Sequence, residues 1–262
     1  MSEAGTIAGQ LHIVAAVNDE EILTNNLERS PLIASGAVGL NCYRGARSAS
    51  EAYNRGIDES SAPIIVFAHQ DVFLPEGWED GLAHAIAAIE AKDPDWAVIG
   101  ACGVDLAGNN VGHVWSSGLS RRVGGRFGAP RETVCIDEFV IILRRSSGLR
   151  FDEQLPGFHL YGTDVVQMAR AAGLHAYIAD LPAIHNSRPV RTYRGGYADA
   201  WRYMQRKWQA ILPIATLTVP LTRTPLPLLR SQVWLWRTYS ARLARATDSR
   251  VDPRELVRQL DL

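Results

Sequence analysis

APIIVFAHQDVFLPEGW, residues 62–78, decides the fold. Its first half is an unbroken apolar run of strand length, which predicts a strand buried on both faces. The run stops at His69-Gln70-Asp71. Beyond Pro75 and Gly77, residues Trp78, Leu82, Ala85, Ile86 and Ile89 fall on one face of a helix. A buried strand feeding an amphipathic helix is the unit of an α/β sheet, and the unit recurs. LHIVAAV (11–17) is a second strand, followed by NDEEILTNNLERS as a helix with Asn18 as cap and Glu21 as its capping-box partner. SASEAYNRGIDESS (48–61) repeats the device with Ser48 and Glu51. WAVIGACGV (96–104) is a further buried strand, and TVCIDEFVIILRR (133–145) reads as one long or two short strands. YGTDVVQMARAAG (161–173) is a helix with Thr163 or Asp164 near its start and Gly173 as its stop, and HAYIA (175–179) is a last strand. The alternation from residue 11 to about 110 predicts a mostly parallel sheet with helices on both faces. The glycine-rich stretch 103–128 is predicted to be a long loop.

The 262 residues are 47% hydrophobic and 21% charged, ordinary values for a soluble globular protein. Cys42, Cys102 and Cys135 are odd in number and lack CxxC spacing, which speaks against a disulfide framework and for a reducing compartment. No secretory signal and no spanning run is visible, so a cytoplasmic location is expected, with peripheral contact at the inner face of the membrane as the variant. Charge is divided unevenly. Residues 1–190 hold 14 Lys and Arg against 23 Asp and Glu, whereas residues 191–262 hold 13 against 5. Either the two parts dock on each other or the basic tail meets an anionic partner; no nucleic-acid motif accompanies the charge. In that tail Trp201, Met204, Trp208 and Ile211 share one helical face, and Leu229, Val233, Trp236 and Leu243 mark a second helix.

In open α/β sheets ligands bind beyond the carboxyl ends of strands, where His69-Gln70-Asp71 falls. By itself a carboxylate at a strand end is commonly the cap of the next helix. Two further residues give it company: Asp164, opening a later helix, and His185, after the last strand in AIHNS. Asp71 and His185 suit a divalent ion such as Mn2+ or Mg2+. Asp164 at a helix N-terminus is expected to stay ionised, and so to be able to accept a proton.

With these pieces in order, the chain resembles the family 2 glycosyltransferases of GT-A fold, and more closely the family-2-like subgroup named for a streptomycin-biosynthesis protein. The likeness rests on VNDEEIL, SASEAYNRGIDESSAPIIVFAHQDVFLPEGW, VIGACGV, TVCIDEFVIILRR and FDEQLPGFHLYGTDVVQMARAAGLHAYIADLPAIHNS, all within residues 11–188. It implies a Rossmann-like mixed sheet with helices on both faces, a GT-A domain over 1–195 and a basic helical extension over 196–262 that has no part in the likeness. It also implies metal-dependent, inverting transfer of a hexosyl-type sugar from a nucleotide-diphosphate donor to an acceptor hydroxyl on a saccharide, a lipid-linked acceptor or a small molecule. Carried over by position, Asp71 holds the ion, His185 completes its shell, and Asp164 is the catalytic base. His69 stands where the family has an acid and becomes, with Gln70, a donor-site residue; Thr163 likewise replaces an acid. Asn18 and Asn54 match nucleotide contacts, or else serve as cap and turn residues. Arg188, with Arg191 and Arg194, either closes over the donor phosphates or forms a solvated face. Asp137 matches a position near the acceptor side of the sheet, or else is structural. Outside the likeness, and from their place in the glycine-rich stretch alone, His113 with Trp115 is a candidate acceptor wall, since aromatic faces stack on sugar rings.

A sugar-phosphate nucleotidyltransferase is disfavoured, because AAVNDEE offers no glycine-rich basic loop after the first strand. A zinc hydrolase is disfavoured by the absence of HExxH or similar spacing. The alternative of another class is a protein of this fold that binds a nucleotide-sugar, or acts as a scaffold, without catalysis. The basic tail is compatible with peripheral membrane contact and with a homo-oligomer.

Overall fold

The computed structural model describes residues 7–193 and 196–260. Among them twelve strands form one mixed sheet. In chain order these are β1 (Leu11–Val17), β2 (Gly39–Arg44), β3 (Ile64–Ala68), β4 (Val72–Phe73), β5 (Trp96–Gly100), β6 (Cys102–Asp105), β7 (Asn110–Ser116), β8 (Arg121–Gly124), β9 (Arg131–Ile136), β10 (Val140–Arg144), β11 (His175–Ile178) and β12 (Ala183–His185). The helices are α1 (Glu20–Asn25), α2 (Pro31–Ala34), α3 (Ala49–Glu59), α4 (Trp78–Glu90), α5 (Tyr161–Ala171), α6 (Tyr197–Lys207), α7 (Leu226–Arg245) and α8 (Pro253–Leu260). Spatial order along the sheet is β2-β1-β3-β10-β5-β11-β9-β6-β7-β12-β4, with β8 against β7.

Strand alternation explains how both faces are covered. Val14 of β1 and Ile65 and Phe67 of β3 enter one apolar cluster with α3, α5 and α6. Ile13 and Ala15, with Val66 and Ala68, enter the other with α1, α2 and α4. The helical faces read from the sequence are the ones that pack: Trp78, Leu82, Ala85, Ile86 and Ile89 are the buried residues of α4. Ser48 caps α3 by accepting the Glu51 N–H, while Glu51 accepts the N–H of Arg47. Gly173 takes φ +75° just beyond α5, the left-handed stop expected of it.

The sheet is not mostly parallel. β1 runs parallel to β2 and β3, but β10 lies antiparallel between β3 and β5. The 133–145 stretch is therefore two strands, β9 and β10, parted at Asp137–Phe139. Nor is 103–128 a long loop: it carries most of β6 and all of β7 and β8. Its glycines serve close backbone approach, since a Cβ at Gly103 would overlap the carbonyl oxygen of Cys135. The helix expected after β1 is short, and Asp19 rather than Asn18 caps it by accepting the Ile22 N–H.

The C-terminal segment is built into the same body. Trp201 and Met204 of α6 are fully buried in the cluster that holds Val14 and Phe67, as are Ile214, Val219 and Leu221 after it. The boundary expected at 195 thus falls beside a continuous core. Lys207, at the end of α6, pairs with Asp152 and Asp164, so part of the charge asymmetry is internal docking. Ile211 breaks the expected helical face and is exposed, because α6 ends at Lys207.

Candidate metal and donor site

Parallel pairing of β1 with β3 sets their carboxyl ends side by side and so brings Asn18 next to His69-Gln70-Asp71. Gln70 fixes this edge. Its Oε1 accepts the N–H groups of Asn18 and Asp19 at 2.9 and 3.1 Å, and its Nε2 donates to Asn18 Oδ1 at 2.6 Å. Antiparallel β10 supplies the other side, where the carbonyl of Phe139 accepts the His69 N–H. β4 then pairs with β12, placing His185 opposite Val72, and the Asn186 N–H donates to the Asp71 carbonyl at 2.8 Å. Residues remote in sequence are thereby forced together.

The result is a cluster of His69, Asp71 and His185 whose ligand atoms lie within 4.8 Å of one another. Asp71 Oδ1 is 3.5 Å from His185 Nε2 and 3.9 Å from His69 Nδ1. His185 is held from behind by the ring of Phe139, stacked at 5.1 Å between centroids. His69 is held through its other nitrogen: Nε2 lies 2.6 Å from the Tyr161 hydroxyl, which donates to the Glu138 carbonyl at 3.2 Å. With that hydroxyl proton committed, His69 Nε2–H is the donor to Tyr161 and Nδ1 keeps its lone pair. Burial also lowers the His69 pKa, against the pull of Asp71, which favours the neutral ring. A lone pair and a carboxylate therefore face each other in a half-buried site, an arrangement that calls for a cation.

The distances fit one. Ligands about 2.1 Å from a common ion, at octahedral or tetrahedral angles, stand about 3.0–3.4 Å apart. The two separations from Asp71, 3.5 and 3.9 Å, exceed the tetrahedral spacing by at most about half an ångström and the octahedral spacing by at most about one. Burial raises the Asp71 pKa, but His185 and His69 outweigh it and hold the carboxyl down at about 2. Burial lowers that of His185, and Asp71 outweighs it, so the net shift is upward. A carboxylate ionised at neutral pH and two imidazoles make a borderline donor set that matches Mn2+ better than the oxygen-seeking Mg2+.

A cavity of about 690 Å³ opens beside the cluster, lined by Asn18, Arg44, Tyr53, His69, Gln70, Asp71, Phe158 and Tyr161 among others. This lies in the size range of small-molecule sites, about 300–1,000 Å³. Tyr53 and Tyr161, which line it, pack with Phe67 and Phe151 behind them at centroid separations of 4.7–6.0 Å. Tyr161 is presented by Leu160, a non-glycine residue at φ +65° whose N–H donates to Glu138 Oε1 at 2.7 Å.

Of the residues singled out in the sequence, Asn18, His69, Gln70 and Asp71 line this cavity, and His185 joins them through Asp71. Asn54 does not line it. Its side chain is spent on the backbone of Phe151, accepting from N–H at 2.8 Å and donating to C=O at 2.9 Å, and on Glu153. Asp164 is buried among α6 residues, with Oδ2 2.8 Å from Lys207 Nζ and Oδ1 accepting from Trp208 Nε1 at 2.7 Å. Burial raises its pKa, against the pull of Lys207 and Trp208, which take both of its oxygens. Arg188 turns to Ser249 at 2.9 Å, Arg191 lies over the Tyr239 ring, and Arg194 is outside the described residues. His113 is buried against Asp180 at 2.8 Å, and Trp115 packs near Leu256 of α8; neither lines this cavity. The sequence reading gave His69 no ligand role and missed Tyr161 and Arg44. An aromatic residue at the start of the helix that carries Asp164 was the available signal for Tyr161.

No family model matches the chain. A curated relative, "ATP synthase subunits region ORF 6" of Fuscovulum blasticum, is 30% identical over 135 residues, 48% of this chain and 52% of its own length. The match thus spans about half of that protein. Among solved structures, the chain is similar to the mannosyltransferase PcManGT from Pyrobaculum calidifontis in complex with GDP-Man and Mn2+, at 13% identity and TM-score 0.48, covering 90% of this chain and 74% of the other. GalNAc-T7 with UDP, GalNAc and Mn2+ gives 11% and 0.45 over 89% and 56%, and S. aureus TarS 1–349 gives 12% and 0.45 over 78% and 66%. All three TM-scores lie below 0.5.

Proposed function

We propose that the protein is a metal-dependent glycosyltransferase of GT-A type that uses a nucleotide-diphosphate sugar. The observation that carries the reading is the His69–Asp71–His185 cluster beside a cavity at the carboxyl edge of β1 and β3. His69, Asp71 and His185 would hold a divalent cation there, Mn2+ by their donor set, with Tyr161 orienting His69; when bound, such an ion would supply positive charge for a departing diphosphate. Asn18, fixed by Gln70, and Arg44, paired with Glu20 at 2.5 Å, border the space for the nucleoside.

Inversion needs a carboxylate to take the acceptor proton, a contribution of about 10²–10⁴-fold. Asp137 stands between β9 and β10, and its charge acts on both His69 and His185. It is the better candidate for this task; Asp164 would first have to give up Lys207 and Trp208. The acceptor belongs to the same proposal: a saccharide, lipid-linked or small-molecule hydroxyl. Thermal-shift titration with nucleoside diphosphates and sugar-nucleotides, with and without Mn2+, tests the reading. A Mn2+-dependent stabilisation by one nucleotide, lost in Asp71→Ala, is expected; no stabilisation by any of them overturns it.

The engagement of Asp164 by Lys207 and Trp208 favours one second reading, a binding protein that holds the nucleotide-sugar without transferring it. Mn2+-dependent binding with no release of free sugar or transfer product over hours would select it.

A further inference from the structure

α7 is unlike the other helices. Leu228 and Leu235 are its buried residues, while Leu226, Leu229, Val233, Trp234, Trp236 and Leu243 are 47–59% exposed. The spacing Leu226, Leu229, Val233, Trp236, Leu243 runs in steps of three, four and seven, so these side chains form one stripe along the outer face. Arg230 and Arg237 follow Leu229 and Trp236 by one residue and border that stripe, and Arg245 extends the basic edge. α7 contains no Asp or Glu. We propose that this face docks on an anionic lipid bilayer, with the apolar stripe in the headgroup–acyl boundary and the arginines on lipid phosphates.

Three observations support that occupant. The amphipathic pattern, Trp-bearing and purely basic, is that of a helix lying in the interface plane, and no helix among the described residues is long and apolar enough to cross a membrane. A second copy is a poor occupant: a two-fold contact through this stripe would bring one set of arginines against the other with no carboxylate from either helix to offset them. The helix is also anchored on its inner side. The Tyr193 N–H donates to Gln232 Oε1 at 3.3 Å, the Tyr193 hydroxyl meets Ser231 Oγ at 2.5 Å, and Arg242 donates to the carbonyls of Val190 and Leu235 at 2.8 and 2.9 Å. The contacts with Tyr193 and Val190 tie α7 to the segment that leaves β12 after His185. A bilayer under α7 would therefore be fixed relative to the metal cluster, as a lipid-linked acceptor would require. The lipid contact itself does not depend on sugar transfer.

Sedimentation of the full chain with vesicles tests it. Binding is expected to phosphatidylcholine vesicles containing about one third phosphatidylglycerol, not to phosphatidylcholine alone, and to weaken with salt. Replacing Leu229, Val233 and Trp236 by Ser should lower the partition coefficient at least about tenfold. Arg230→Gln, Arg237→Gln and Arg245→Gln together should lower it about a hundredfold and flatten the salt dependence. Circular dichroism and Mn2+ binding should be unchanged in both, which separates lost docking from lost folding. No binding of the wild-type chain to the anionic vesicles, or equal binding by wild type and both variants, overturns the proposal. So does a wild-type dimer, seen by analytical ultracentrifugation, that is dispersed by the three Ser substitutions.

Discussion

His185 Nε2 stands 3.5 Å from Asp71 Oδ1 because β12 and β4 pair at the carboxyl edge of the sheet. Each side chain is ordinary in sequence, and the pairing makes them one site. Asp71→Ala should abolish specific Mn2+ binding, and His185→Ala or His69→Ala should weaken it by at least the 10–100-fold typical of lost supporting contacts. Titration followed by the Mn2+ paramagnetic resonance signal measures this directly.

Tyr161→Phe removes the partner of His69 Nε2 while keeping the ring in its aromatic cluster. Mn2+ affinity should fall about tenfold with little change in melting temperature, because the loss is one of imidazole orientation. An unchanged affinity would show that Tyr161 does not position His69.

Asp164→Asn leaves Lys207 with Asp152 alone and converts a charge-assisted bond from Trp208 into a neutral one. The expected cost is about 1–3 kcal/mol in urea unfolding. Any Mn2+-dependent turnover should survive in the fraction that stays folded, whereas Asp137→Asn should reduce turnover about 10²–10⁴-fold without comparable loss of stability. Reversal of the two results would return the base role to Asp164.

Asn54→Ala orphans the Phe151 N–H and C=O in the interior, for about 2–3 kcal/mol of lost stability. Nucleotide affinity of the folded protein, by calorimetry, should not change. A loss of affinity greater than tenfold would instead make Asn54 a donor contact.

Glu138 carries a pH dependence. Burial, reinforced by the neighbouring Asp137, pushes its carboxyl up to about 8 from an ordinary value near 4.5. Below about 4.5 both folded and unfolded chains hold this proton; between there and about 8 only the folded chain does. Its contribution therefore makes stability fall as pH rises through that window, by at most about 1.4 kcal/mol per pH unit, and level off above it. Urea midpoints from pH 5 to 9 should show this slope in the wild type and a flatter profile in Glu138→Gln.

Local signals in the sequence placed β1, β3, α3, α4, α5 and β11 close to their observed ends, because apolar runs, capping residues and helical periodicity act over a few residues. They failed where partners are remote. β6, β7 and β8 looked like loop because glycines that permit close backbone approach resemble glycines that make turns. β12 and β4, two or three residues long, carry no periodicity at all, yet they build the site. His113 and Asp164 illustrate the converse: residue types suited to chemistry are buried against half-buried partners, Asp180 and Lys207, that only the packed chain brings to them.

The sequence by itself determined an α/β layering, a polar strand end at His69-Gln70-Asp71 and a basic C-terminal segment, since each depends on residues near one another in the chain. Tertiary structure alone decided that His69 turns its free nitrogen toward Asp71, that His185 completes the cluster, and that the apolar stripe of α7 faces outward. These follow from antiparallel insertion of β10, from β4–β12 pairing and from which helix face meets the core, and all three are set by long-range packing.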